Sequence, residues 1–207
     1  TLAADATPDS GGALRSTDGT NVWLGRITQT GVSRIRATGA SRLTLAGGVS
    51  GAFNLYLSPD AGAELVVADA PVNLGSTSSS RILYASGAGT VALAVPGQTF
   101  GALTVAGLTL RTDVANAWPA ATILALGASS SPDGTVDLNG NSQTVGQLKR
   151  GITTSGARLV TSAAPATLTV NGSTSTTYDG QFGGALGLTK AGNASLTVTN
   201  AFSTSSG

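Results

Sequence analysis

The fold of this chain is decided by the stretch Leu103-Thr104-Val105-Ala106-Gly107-Leu108-Thr109-Leu110. It holds two tripeptides in which Thr stands between apolar residues, and only Ala and Gly separate them. Apolar side chains at every second position are typical of a β-strand with one buried face. Three residues make a very short strand, and Gly is suited to a sharp corner. The stretch therefore predicts short strands joined by brief corners where small residues stand.

The same type of tripeptide recurs along the chain, at residues 43–45, 168–170 and 196–198. Other alternating apolar pairs return after 10 to 12 positions, as from Leu43 to Leu55 and from Leu55 to Leu65. Two such intervals make a unit of about 20 residues, a period that indicates a solenoid whose turns stack on one another. No segment shows the apolar spacing of an amphipathic helix, so we predict an all-β chain.

Two all-β architectures have strands at this spacing, an antiparallel sandwich and a parallel β-helix. The Asn-Gly and Asp-Gly corners of the chain fit both. A sandwich must fill a gap of about 10 Å between its sheets, and the chain has only 2 Trp, 3 Tyr and 4 Phe to do so. We therefore predict one parallel β-helix over residues 1–207, filled by Leu, Val and Ala, with roughly ten rungs.

The composition excludes several classes of site. Gly, Ala, Ser and Thr together make up 113 of the 207 residues, and the chain has no His, Cys or Met. Without His and Cys it has no zinc site of the usual kinds, no iron–sulfur cluster and no Cys or Ser-His nucleophile. The 41% of hydrophobic residues and the net charge of +1 exclude a disordered chain. We expect no catalytic residue, no cofactor and no metal ion.

Two segments carry a family resemblance. The stretch Asp137-Leu138-Asn139-Gly140, followed by Gln143-Thr144-Val145-Gly146, resembles a segment common in the passenger domains of bacterial autotransporters. The stretch Leu188-Thr189-Lys190-Ala191-Gly192-Asn193-Ala194-Ser195-Leu196-Thr197-Val198 resembles the autotransporter-associated β-strand repeat, with Asn193 where the repeat usually has Gly. Residues 135–200 match best, and residues 20–57 match a weaker version.

The resemblance implies a right-handed, single-stranded parallel β-helix, or β-solenoid, that is exported to the bacterial cell surface or beyond and belongs to a longer chain. It does not imply one activity, but such repeats are mostly stalks and scaffolds. We therefore expect a non-catalytic stalk or fibre segment with no transmembrane segment of its own. The unpaired strand edges at the ends of a rod also predict end-to-end stacking of copies.

An alternative hypothesis is an adhesin-type module that contacts cell-surface glycans or other polyanions. Arg34 and Arg36 share one face of their strand, because residues two apart point the same way. One rung away, Arg15, Arg26 or Arg42 extends them into a basic stripe that suits polyanions. We single out Arg34, Arg36 and Arg42 as the contact residues. Trp23 is the aromatic residue nearest to them in sequence, so nucleic-acid binding, which uses interleaved aromatic residues, is not expected.

A third, less favoured hypothesis is a polysaccharide-cleaving enzyme, because parallel β-helices host such enzymes and their chemistry requires clustered carboxylates. The tightest acidic groups are Asp60, Glu64 and Asp69, and then Asp133 with Asp137. Asp60 and Asp133 each follow a proline, which is typical of a turn. We interpret both groups as corner residues.

Residues 112–121 form the one long segment without clean alternation, and they contain Trp118. One interpretation is a loop that leaves the coil, and loops on solenoids often carry binding sites. The favoured interpretation is that Trp118 folds over a groove or caps a rung.

Overall fold

The computed structural model describes residues 1–2, 12–129, 131, 133–152 and 156–200. All regular elements in these ranges are β-strands, and no helix occurs in them. The strands are β1 (Leu14–Ser16), β2 (Thr20–Trp23), β3 (Ile27–Thr28), β4 (Ser33–Ala37), β5 (Arg42–Leu45), β6 (Val49–Ser50), β7 (Leu55–Pro59), β8 (Glu64–Val67), β9 (Val72–Asn73), β10 (Ile82–Ser86), β11 (Thr90–Leu93), β12 (Ala102–Ala106), β13 (Thr109–Thr112), β14 (Ile123–Leu126), β15 (Gly134–Asp137), β16 (Gln143–Val145), β17 (Gln147–Arg150), β18 (Arg158–Asn171), β19 (Thr176–Tyr178), β20 (Gln181–Ala191) and β21 (Leu196–Val198).

The strands stack in parallel in three main sheets. The first sheet has the order β1-β4-β7-β10-β12-β14-β17, and β3, β6 and β9 form the third sheet. The second sheet contains β2, β5, β8, β11, β13, β15 and β18 in sequence, with β16 and β20 also paired to β18. The long strands β18 and β20 pair along both of their halves, with a register shift between Ser162 and Ala166. Along the chain, successive turns visit the first sheet and then the second, and the first three turns also visit the third, so the fold is a β-solenoid.

The described residues form about eight turns of the solenoid. Positions equivalent in strand register follow one another in the second sheet, one per turn: Asn21, Leu43, Leu65, Val91, Leu110, Val136, Val160 and Phe182. The prediction of an all-β parallel β-solenoid is confirmed, and about eight turns roughly match the predicted number of roughly ten. The turns are longer than 20 residues on average, because the corners differ in length; Val91 follows Leu65 by 26 positions, and Leu110 follows Val91 by 19.

The core is a column of aliphatic side chains between the sheets, because alternate strand residues point inward. The recurring tripeptides lie on different sides of the coil: residues 103–105 belong to the first sheet, and 43–45 and 108–110 lie along the second. In each of these three tripeptides the apolar residues are buried and the central Thr is partly exposed. The repeat is therefore one of strands rather than of whole turns. On the outer face, Thr90, Thr109 and Thr135 stand in register as a ladder.

The interpretation of residues 112–121 as a loop that leaves the coil is wrong at its centre. Ala117 and Trp118 are buried in the core cluster, and the indole N–H of Trp118 donates to the carbonyl of Thr144 at 3.0 Å. The side chain of Gln143 holds this segment in place. Its Oε1 accepts from the backbone N–H of Ala117 at 2.8 Å, and its Nε2 donates to the carbonyl of Val114 at 2.8 Å.

Candidate binding groove

The structure brings two of the three predicted contact arginines together. Arg34 and Arg36 lie in β4 on the outer face of the first sheet, as their spacing predicts, and Arg15 of β1 is the register neighbour of Arg36. Arg42 lies in β5 of the second sheet, where it stands in register between Thr20 and Glu64. Arg42 is therefore not part of the same stripe.

Carboxylates neutralise two of these arginines. The Arg36 guanidinium donates to Asp60 at 2.9 Å, and Arg42 Nε donates to Glu64 at 2.7 Å. Each acid lies one turn further along the coil, so these pairs bind adjacent turns to each other. Partly exposed ion pairs of this kind stabilise a fold by at most about 1 kcal/mol.

Arg34 has a different environment, which the sequence did not reveal. Its guanidinium lies 5.1 Å from the ring centroid of Tyr56, and Nη1 donates to Ser58 Oγ at 3.3 Å. The ring of Tyr56 in turn stacks on that of Tyr84, with centroids 4.4 Å apart and planes at 5°. Both tyrosines are distant from Arg34 in sequence but stand one and two turns from it in register. The only sequence signal is that each tyrosine occupies an outward position of its strand.

A groove runs over the outer face of the first sheet beside these rings. It consists of two adjoining hollows with cavity volumes of about 430 and 340 Å³, and both are lined by Tyr84, Thr104, Ala128 and Ile152. The first hollow reaches Arg34, and the second reaches Lys149. Ile152 at the rim has 84% of its surface exposed.

All charged side chains among the described residues that line the groove are basic. They are Arg34 in the first hollow and Lys149 and Arg150 in the second. Arg150 lies 3.5 Å from Asp179, but Arg158 also pairs with that carboxylate, at 3.1 Å, so this cluster keeps a net positive charge. Lys149 has no acidic partner in the described part of the chain. The groove is therefore suited electrostatically to an anion.

Tyr84 is protonated in the groove at neutral pH. Burial raises the pKa of its phenol, and the neighbouring Tyr56 raises it further by charge and by a hydrogen bond. A neutral ring keeps its apolar face available for stacking, and the hydroxyl remains a hydrogen-bond donor.

The predicted corner carboxylates make structural contacts. Asp60 pairs with Arg36, and Glu64 bridges Arg42 and Arg111. Asp133 accepts from the backbone N–H of Ala157 at 2.6 Å. In the same way, Asp137 accepts from the backbone N–H of Asn139 at 2.8 Å within a turn. No Asp or Glu is found among the described residues that line the groove.

Comparison of the chain with models of protein families, with curated proteins and with solved structures finds no significant match. Within the described ranges, no three acidic side chains are grouped closely enough to hold a metal ion, and no helix is long and apolar enough to cross a membrane. The groove combines an aromatic wall, a floor of small residues and basic ends. Such an arrangement is able to bind a ring-shaped, negatively charged ligand.

Proposed function

We propose that this chain is a non-catalytic structural segment, a β-solenoid stalk or fibre piece of a bacterial surface or secreted protein of the autotransporter type. The observation that supports it best is a column of buried apolar side chains that continues through the turns of the second sheet: Leu43, Leu65, Val91, Leu110, Val136, Val160 and Phe182. Each turn packs on its neighbours, so a rod of this kind can be of any length, as a spacer requires. The acidic residues support the same role. The ion pairs of Asp60 and Glu64 hold adjacent turns together, and Asp133 and Asp137 fix corners by accepting backbone hydrogen bonds.

The localisation is tested on intact cells that make the protein. A protease added outside the cells should release peptides of this chain, identified by mass spectrometry, while a cytoplasmic marker stays intact. Peptides that appear only after lysis would contradict the proposed surface role. The absence of catalysis is tested separately, by incubating the purified chain with acidic and neutral polysaccharides. New reducing or unsaturated ends would show that it is an enzyme.

We also propose that copies of the rod stack end to end. In the described residues β2 pairs only with β5, and the other edge of β2 is left without a strand. Val22, Trp23 and Leu24 at this end are 56%, 43% and 77% exposed. At the other end of the solenoid, Leu196 and Val198 are only partly buried. Unpaired edges with apolar side chains favour association.

Light scattering at increasing protein concentration tests the stacking. We expect the average mass to rise with concentration, and Trp23→Lys to reduce that rise, because it places a charge at the exposed edge. Thr109→Lys serves as the control, since it places the same charge on a partly exposed residue of β13, a strand that is paired on both sides in the middle of the stack. Monodisperse monomers at high concentration would contradict the stacking proposal.

A second candidate function is adhesin-type binding of a glycan, and the observation that favours it is the groove with its basic ends. We expect a salt-dependent affinity for an anionic glycan that is lost when Arg34, Arg36 and Arg42 are all replaced by Ala. Of these three arginines, Arg34 is the one that lines the groove, so Arg34→Ala alone should cause most of the loss. The absence of binding on a broad glycan array would contradict this function.

A further inference from the structure

One row of outward side chains crosses the first sheet parallel to the axis of the solenoid. The register of the parallel strands places one member in each turn, in the order Arg34, Tyr56, Tyr84, Thr104, Ala125 and Lys149. Neighbouring turns lie about 4.8 Å apart. This is also close to the spacing at which aromatic rings stack. A continuous ladder of large side chains is therefore geometrically allowed along the whole row.

The ladder is complete at one end and interrupted in the middle. Arg34 covers one face of Tyr56, and Tyr84 covers the other. The second face of Tyr84 is directed along the row toward Thr104 and Ala125, whose side chains are too short to reach it. Thr104 lines both hollows together with Tyr84. The row thus has a gap of two turns, about 10 Å along the axis, with an aromatic face at one side.

The other side of the gap is polar and basic. Lys149 ends the row, and Arg150 lies next to it in the same strand. The floor is apolar, with Ala102 and Ile123 beside the row, and Ile152 stands at the rim. An occupant of the gap would meet an aromatic face, a small apolar floor and a cation without an acidic partner in the described residues. This is the combination that orients a ligand ring and fixes one charged group.

We propose that the gap between Tyr84 and Lys149 holds one anionic sugar of a linear acidic glycan, with the C–H face of the sugar on Tyr84 and its carboxylate or sulfate on Lys149. The inference rests on the second candidate function, glycan binding, and names the residues that carry it. Sugar C–H groups pack on aromatic faces, and an anion on a sugar forms a charge-assisted hydrogen bond with an ammonium group.

The glycan chain extends from the gap along the groove. Arg34 lines the far part of the first hollow, five turns from Lys149, a distance of about 24 Å along the axis. The two cations therefore bracket the groove at a separation that only an oligosaccharide spans. Affinity is expected to increase with chain length and to level off once both cations are engaged.

The test uses calorimetry on the purified chain with three probes of equal length: a hexamer of galacturonate, a sulfated heparin hexamer and neutral maltohexaose. We expect binding of one or both acidic probes, weakened at high salt, and no binding of the neutral probe. Heparin carries both sulfates and carboxylates, so binding of the galacturonate hexamer shows that a carboxylate is sufficient, and binding of heparin alone shows that a sulfate is required. Di- and tetramers of the bound probe should bind more weakly than the hexamer.

Three variants locate the ligand. Thr104→Tyr continues the tyrosine ladder into the gap and should reduce affinity at least tenfold without lowering the melting temperature. Lys149→Gln should reduce affinity by a similar factor, and Tyr84→Ser should do so as well. Lys190→Gln removes a lysine outside the groove and is the matched control, with unchanged affinity expected. Circular dichroism shows whether each variant keeps the fold.

The outcomes distinguish the two proposals. If an acidic hexamer binds and Thr104→Tyr and Lys149→Gln leave its affinity unchanged, the gap is not the binding site and the inference is overturned. If that affinity is lost in the Arg34, Arg36 and Arg42 triple variant, glycan binding itself still holds. If none of the probes binds, both glycan binding and the gap proposal are contradicted.

Discussion

Tyr178 is the largest side chain that is completely buried, and it lies near the end of the described chain. Its ring packs at a tilt against Phe182, with centroids 5.2 Å apart. Its hydroxyl has no hydrogen-bond partner in the described residues, and burial raises its pKa. A buried polar group without a partner lowers stability by the cost of removing it from water.

We predict that Tyr178→Phe stabilises the protein. Removal of the hydroxyl leaves the ring packing intact, so the free energy of unfolding should rise by about 1 kcal/mol. Urea denaturation at pH 7, followed by circular dichroism, measures the change. A clear loss of stability would mean that the hydroxyl has a partner that stabilises the native state.

Asp113 is a carboxylate whose protonation is tied to folding. Arg111 donates to it through Nε at 2.7 Å and through Nη2 at 3.0 Å, and Asn139 donates to it at 3.1 Å. These contacts, above all the hydrogen bonds from Arg111, lower the pKa of Asp113. A carboxylate with a lowered pKa in the folded state stabilises the fold above its unfolded pKa, near 4, and this contribution is lost as the pH falls below it.

Asp113→Asn is therefore expected to destabilise the chain in a pH-dependent way. At pH 7 the variant should lose about 1 kcal/mol of unfolding free energy. The difference from the parent chain should shrink as the pH is lowered below about 4, because the carboxylate of the unfolded parent chain takes up a proton before that of the folded chain. Melting curves from pH 3 to pH 8 test this; a difference that does not depend on pH would contradict the role of the charge.

At the residue scale, the sequence could predict which face a side chain occupies but not which residues meet across turns. Alternation was enough to place Arg34 and Arg36 on one face. It could not reveal the contact between Arg34 and Tyr56, because turns of unequal length hide which positions come into register. The burial of Trp118 was not predictable for a related reason, since the side chain of Gln143, one turn later, holds its segment in the core.

At the scale of elements, the residues at the corners determine how closely the backbones of adjacent turns approach each other. Gly146, Gly172 and Gly192 follow the strands β16, β18 and β20 of the second sheet and stand about one turn apart. A Cβ atom on Gly172 would lie 1.8 Å from the carbonyl oxygen of Gly146, and one on Gly192 would lie 2.6 Å from that of Gly172. The expectation that small residues stand at brief corners is confirmed here, and the physical reason is the close approach of one backbone to the next.

Gly172→Ala is predicted to destabilise the protein by about 2 kcal/mol or more, because the new methyl group forces two turns apart. Gly25→Ala is the matched control. The nearest atom to a Cβ on Gly25 is Trp23 Nε1, at an ordinary 3.6 Å, so this change should be nearly neutral. Denaturant unfolding of the two variants gives the comparison. Equal stability of both would show that the corner accommodates a side chain.

The short strands themselves were predictable, since period-2 alternation survives in every sheet. What the sequence could not provide is the allocation of strands to sides. The tripeptide Leu-Thr-Val occurs in the first sheet at residues 103–105 and in the second sheet at residues 168–170. Such a tripeptide therefore indicates a strand but not the side of the coil on which the strand lies. The groove depends on that allocation, because it needs Tyr84, Thr104 and Lys149 on the same sheet.

At the scale of the whole molecule, the described turns form one stack in which the outward positions of the second sheet follow the axis. Thr20, Thr109 and Gln181 belong to one register column, with four turns between the first two and seven between the first and the last. The turns are longer on average than the period of about 20 residues because several corners carry extra residues. A stalk function depends on the stack rather than on any one turn.

The most direct test of the stack is a set of spin-label distances. The chain has no cysteine, so pairs of introduced cysteines can be labelled without background. We predict the separations that pulsed electron paramagnetic resonance should measure between labelled positions. They are about 19 Å between positions 20 and 109 and about 34 Å between positions 20 and 181. The distance should rise by about 4.8 Å for every further turn. A Thr20–Gln181 distance equal to or shorter than the Thr20–Thr109 distance, as folding back into a sandwich would give, would contradict the solenoid.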